Sequence, residues 1–288
     1  MTRSRTAALA LLLLFARSSA NGQARPDESP VSSRPTYVLL TGIVGGEGGM
    51  ARLATTLRGA GEHVVVIDAY KASLDSVDVS FAALARRVDR TLDSARITRA
   101  HVVGHAHGGG VAMRLAASFP GRVAHLFLLD AGAIAVSKTK VFSGSIRLIP
   151  YLVRIPGGRA LVESRFSSGM RDNLGQRSWF DKATRRAYVS LVIDVPKAIS
   201  MASRLAHAKE PEELAAVVSR LTMPVTAIIG GFPHPAGPLP VEFELLRSLG
   251  ARFRSVTLPD VGHFPHEEAP DEVVRIVRSV SSDDAPAQ

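Results

Sequence analysis

The 288-residue chain contains no cysteine. That excludes disulfides, a thiol nucleophile, thiolate metal ligation and lipid attachment through a thioether, so a chain of this size must draw its stability from its core. A His-Glu-x-x-His run is also missing, which removes the arrangement that places two metal-binding histidines on one helix face. No apolar run is long enough to span a bilayer: the longest, in the N-terminal stretch MTRSRTAALALLLLFARSSANGQA, covers only residues 7–15. The run DKATRRAY has helical spacing and no aromatic between its cations, so it reads as a solvated helix face and not as a nucleic-acid contact. No nucleic-acid partner is expected.

What is present is a composition with 46% hydrophobic and 21% charged residues, which is that of a folded globular chain. In the N-terminal stretch, Arg3 and Arg5 precede the short apolar run and small residues follow it. This is the layout of a cleavable export signal, with cleavage after Ala20 or Ala24 and a periplasmic or secreted product; a retained membrane anchor is the alternative. The formal charge is +9, and it is unevenly placed: residues 131–221 hold 15 Lys and Arg against 7 Asp and Glu. Such a segment could also meet an anionic surface.

Behind a polar leader at 25–35, the pattern alternates. TYVLLTG, EHVVVIDAY, AHVVGHA and RVAHLFLLDAG read as strands, with GGMARLATTLRGAG, VSFAALARRVDRTLDSA and GGGVAMRLAASFPG as the helices between them. The alternation stops over residues 133–221, which read as helices, and resumes with MPVTAIIGG, PVEFELLRSLG, RFRSVTLPDVGH and PDEVVRIVRSV. Strands alternating with helices predict an α/β fold whose mostly parallel sheet is flanked by helices. Residues 36–132 and 222–281 would form the core, 133–221 an inserted helical cap, and 282–288 a tail.

The segment HVVGHAHGGG, followed at once by a helical pattern, has the strand, sharp turn and helix layout that presents a nucleophile in G-x-S-x-G enzymes. Together with LLTGIVGG, IDAY and the later block VTLPDVGHFPHEEAPDEVVRIV, it resembles the capped α/β-hydrolase superfamily over residues 36–280. The resemblance implies a nucleophile at the turn, an acid after a later strand, and a histidine near the C-terminus.

Taken residue by residue, the nucleophile position is Ala106, which cannot attack a carbonyl, an epoxide or a carbon–halogen bond. The histidine maps to His263, with Gly262 letting its loop turn inward. The usual acid position, after the strand ending at Ile229, holds no carboxylate: Pro233 and His234 stand there instead. The alternative family position, after the strand that follows the turn's helix, offers Asp130. Backbone N–H groups of Ile43 and His107 would form the oxyanion hole, and Thr41, Gly42 and His105 would line a ligand pocket. Gly104, Gly108 and Gly109 leave room for the turn and its helix.

Two further readings compete for these residues. TGIVGGEG with Asp68 some way downstream is locally similar to the dinucleotide loop of short-chain dehydrogenases. However, the G-x-G-x-x-G spacing is not met and no tyrosine has a lysine four residues on, so no cofactor is expected. His105, His107, His234, His263 and His266 could converge on a metal, but satisfied or site-lining histidines are the simpler reading, and no metal is expected. Three functions remain. The first is a pseudoenzyme with a degenerate triad that binds a small apolar or ester-like molecule without serine-dependent turnover. The second is an atypical hydrolase in which His263 activates water, and the third an interaction protein using its basic cap.

Overall fold

The computed structural model describes residues 36–71, 78–132, 149–193, 200–201, 204–205 and 207–283. The leader, the expected export signal and the first part of the expected cap lie outside the described residues. Strands β1 (Thr36–Leu40), β2 (Val64–Ile67), β3 (Ala100–His105), β4 (Val123–Leu129), β5 (Val225–Gly230) and β6 (Phe253–Leu258) form one sheet in the order β2-β1-β3-β4-β5-β6. Every neighbouring pair is parallel.

The central strands read as continuous apolar runs because both of their faces are covered. On one face Val38, Leu40, Val102, Leu126, Leu128 and Ala227 pack with Phe81, Leu84 and Val88 of helix α2 (Phe81–Ser94) and with helix α3 (His107–Ser118). On the other face Tyr37, Leu39, Val103, Phe127, Leu129 and Ile228 meet Leu53 and Leu57 of α1 (Ala51–Gly59) and Val273 and Val277 near the C-terminus. Residue parity along each strand therefore selects the layer, as the period of a pleated strand requires.

Between β4 and β5 the described residues are helical: α4 (Ile149–Leu152), α5 (Gly158–Arg171), α6 (Lys182–Ile193) and α7 (Leu214–Ser219). After β5 come α8 (Pro240–Arg247), then β6, then α9 (Pro265–Glu268) and α10 (Pro270–Asp283). Helix α2 starts where its free N–H groups find acceptors. Ser80 caps it through Ala83 N at 3.2 Å, and the Glu210 carboxylate takes the N–H of Phe81 at 2.7 Å.

The chain lays β2 on one side of β1 and then crosses to place β3 on the other, so the strand order reverses between β1 and β3. The carboxyl ends of strands at such a reversal leave a crevice for ligands. The loop after β1 and the turn after β3 meet there.

Candidate active site

The turn after β3 is held by the sheet itself. Ala106 N–H still donates to the Leu129 carbonyl at 3.1 Å, one residue beyond the end of the strand, and α3 begins at the next residue. Ala106 has φ 49° and ψ −119°, a conformation that non-glycine residues rarely adopt and that costs about 1–3 kcal/mol. A nucleophile elbow imposes this strain to lift its side chain off the sheet. Here the lifted side chain is a methyl group.

The glycines around the turn are fixed by contact. A Cβ on Gly104 would lie 2.5 Å from the Gly108 carbonyl oxygen, and one on Gly108 would lie 2.4 Å from that of Leu40 and 2.6 Å from that of Thr41. These obstacles are backbone of α3, of β1 and of the first loop, which cannot step aside. Gly108→Ala is therefore expected to destabilise the fold by about 3 kcal/mol. Urea denaturation checks this, and a loss below about 1 kcal/mol would contradict the close approach.

Asp130 follows β4 directly. It is fully buried and has φ 42°. Its Oδ1 accepts the Gly230 N–H at 3.1 Å. Its Oδ2 lies 2.7 Å from His263 Nδ1 and 2.8 Å from His234 Nε2. Burial pushes the carboxyl up, but the hydrogen bonds and charges of the two histidines outweigh it and hold it below its ordinary range. The structure thus brings Asp130 and His263 together and adds His234 on the same oxygen.

His263 is fixed through its backbone as well as its ring. Its N–H donates to Asn173 O at 2.8 Å, and its carbonyl accepts from His105 Nε2 at 2.8 Å. The Glu268 carboxylate accepts the N–H groups of Gly175, Gln176 and Gly262 at 2.9, 2.7 and 3.1 Å, tying the segment after α5 to the histidine loop. A Cβ on Gly262 would fall 2.3 Å from the Asn173 carbonyl oxygen, so glycine is needed there for this close approach. The His263 ring centroid is 4.8 Å from that of His105, the residue just before Ala106. With Nδ1 bound to Asp130, Nε2 is the nitrogen left for chemistry.

The other expected positions fall as follows. A Cβ on Gly42 would come 3.7 Å from that of Ala106, so the loop bearing Ile43 borders the elbow. The His107 amide opens α3, where N–H groups point along the helix axis toward the elbow. Thr41 is buried. His105 is buried too, its ring packed on His263, Phe264 and His266, so it supports the histidine loop. His107 turns the other way and meets the Phe81 ring edge-on at 5.6 Å. Burial, with the nearby His263, pushes His107 and His266 down to about 3, so both are neutral at ordinary pH, and burial lowers His105 as well.

Asp68, the acid of the dinucleotide reading, is spent on its own turn, accepting the N–H groups of Tyr70 and Lys71 at 2.9 and 3.1 Å. Tyr188 of α6 reaches from the helical segment onto the first loop, where a Cβ on Gly45 would meet its ring at 2.8 Å, and its hydroxyl donates to Glu267 at 3.0 Å. Burial raises Glu267 to about 7 against the opposing pull of Tyr188 and Arg52. Among the described residues, Asp130, His234 and His263 alone bring three metal-type ligand atoms within 4.8 Å of one another. Those atoms are engaged with each other at hydrogen-bond distance, which protons account for.

The sequence offers His234 as the residue in the acid's place and as one of five histidines that could converge, and it assigns no role to Asn173, Glu268 or Tyr188. GGFPHP did hold the clue, because a histidine in the acid's place faces whatever carboxylate replaces that acid. Asn173 acts mainly through a main-chain carbonyl, which no side-chain pattern announces.

Residues 38–276 match the model of the alpha/beta hydrolase family. The chain is 23% identical over 303 residues to the sn-1-specific diacylglycerol lipase of Mus musculus, covering 94% of this chain and 92% of that protein. Among solved structures it is similar to a membrane phospholipase A (TM-score 0.67, 20% identity, covering 89% of this chain and 81% of that one). It is also similar to Est816, an N-acyl homoserine lactone degrading enzyme (TM-score 0.60, 20% identity, covering 85% and 92%). The structural likenesses speak to the fold alone. The matched model spans most of the chain, both parts of the sheet included, and the protein belongs to the alpha/beta hydrolase family.

Proposed function

We propose that this protein binds a small apolar or ester-type molecule and hydrolyses it by direct attack of water, without an acyl-enzyme. The observation that carries this reading is the His263 Nδ1 to Asp130 Oδ2 contact of 2.7 Å beside an elbow that ends in a methyl group. A dyad oriented in this way fixes the histidine tautomer and leaves Nε2 as a base. The missing hydroxyl leaves space for a water at the same place.

In this mechanism His263 Nε2 takes a proton from that water as its oxygen bonds to the ester carbonyl carbon. The tetrahedral oxyanion is met by the N–H groups of Ile43 and His107, and the imidazolium returns the proton to the departing alcohol. One water and one ester yield one acid and one alcohol. Backbone donors and binding alone retain roughly 10³ to 10⁴-fold catalysis when triad members are lost elsewhere, so turnover is expected to be slow.

A panel of short and long acyl esters, assayed with the protein and with His263→Ala, tests the reading. Loss of at least about tenfold in rate in the variant is expected. Equal rates would remove the hydrolytic step and leave a ligand-binding protein. Export is part of the same proposal, and an intact Met1 on protein recovered outside the cytoplasm would count against signal cleavage. Arg154, Arg159 and Arg165 are exposed, as are Tyr151 and Ile155 in the same stretch of sequence, and this supports contact of the cap with an anionic surface.

A further inference from the structure

We infer that His234 is a fixed imidazolium that occupies the usual acid position and neutralises Asp130, making it a positioning residue for the His263 base. This rests on the reading of His263 as that base. His234 Nδ1 lies 2.6 Å from the Phe232 carbonyl oxygen, and its Nε2 lies 2.8 Å from Asp130 Oδ2. Both partners are acceptors. A neutral imidazole has one N–H and would turn a lone pair toward one of them; only the doubly protonated ring satisfies both contacts.

The surroundings favour the charge. The His234 side chain is 6% exposed and that of Asp130 is 0% exposed, so the pair is shielded from solvent. Burial opposes a charge on His234, but the Asp130 hydrogen bond and charge and the Phe232 carbonyl together raise it above its ordinary value. The groups facing the pair are His263 from the loop after β6 and Glu268 from α9, which also favours the cation. On the α8 side, Gly237 closes over it, its would-be Cβ 3.1 Å from both Asp130 Oδ2 and His234 Nε2. Glu242, also on that side, is committed to the Leu239 N–H at 2.8 Å.

The consequence concerns the base. In a plain His–Asp dyad the carboxylate alone faces the imidazolium that forms when the histidine takes a proton. Here a second cation sits with its ring centroid 5.8 Å from that of His263. His234 thereby shares the Asp130 Oδ2 that orients His263, so one oxygen places both rings. The same carboxylate is held by three donors, which fixes the direction of the His263 ring.

The test uses the full chain with ¹⁵N-labelled histidine. Long-range ¹H–¹⁵N correlations, assigned with His234→Gln, are expected to show both His234 nitrogens protonated at pH 7. The spectrum should be unchanged by chelator or by one equivalent of Zn²⁺. A neutral His234 tautomer at pH 7, or a Zn²⁺ ion that takes the place of its proton, would overturn the inference. In ester hydrolysis, His234→Gln is expected to lower kcat by about tenfold while KM changes by less than about twofold. An unchanged kcat would mean that His234 is only structural. The correlation spectrum needs no turnover, so its outcome stands even if the hydrolytic reading fails.

Discussion

Ala106→Ser is expected to convert this protein into a fluorophosphonate-reactive serine hydrolase, with labelling confined to residue 106 and ester hydrolysis raised by about 100-fold or more over wild type. The backbone at 106 is in the strained elbow conformation, Gly104 and Gly108 have left room for the turn, and His263 is oriented by Asp130. A serine oxygen at this position needs only a base in the right tautomer to become a nucleophile. Activity-based labelling with mass spectrometry of the modified peptide provides the measurement. A serine variant that folds but neither labels nor gains activity would show that the dyad is misaligned.

Asp130→Ala is expected to have the largest loss. The side chain is fully buried and accepts three hydrogen bonds, so its removal strands Gly230 N–H, the His263 ring and the His234 ring at once. Removing one partner of a buried ionic pair costs about 3–5 kcal/mol, and denaturation of the purified protein should show a loss of that order. In an Ala106→Ser background, where activity is high enough to fall, the same change should lower turnover by roughly 10⁴-fold, as for a catalytic histidine left without its orienting acid. Asp130→Asn, which keeps the shape, separates the two effects: it should retain more stability than alanine yet still lose activity. A drop in turnover of less than about tenfold would exclude Asp130 as the orienting acid.

The sheet was legible in the sequence because buried parallel strands leave a plain mark. Val102-Val103 and Leu126-Phe127-Leu128-Leu129 have no polar face because helices cover both sides of the sheet. The elbow was legible for the same kind of reason: Gly104 and Gly108 are needed where backbone meets backbone within 2.5 Å, and that need appears directly as residue type. Asp130 could be offered as an alternative but not chosen, since an aspartate after a strand also serves as a loop or cap residue. Its three donors come from residues 230, 234 and 263, far along the chain. His234 was seen and passed over, because its role depends on a carbonyl two residues back and a carboxylate over a hundred residues away. His105 and His107 share one short motif but face opposite surroundings, as a sharp turn between them requires.

On the proposed function, His263, held by Asp130, activates water beside an elbow that carries a methyl group. Intact-protein mass spectrometry of wild type, quenched during hydrolysis of an activated ester in H₂¹⁸O, tests it most directly, with His263→Ala alongside. Direct attack by water predicts an unmodified protein mass at every time point, ¹⁸O in the product acid from the first turnover, and loss of the reaction in His263→Ala. An acyl adduct on any residue, or hydrolysis that persists undiminished without His263, would contradict it.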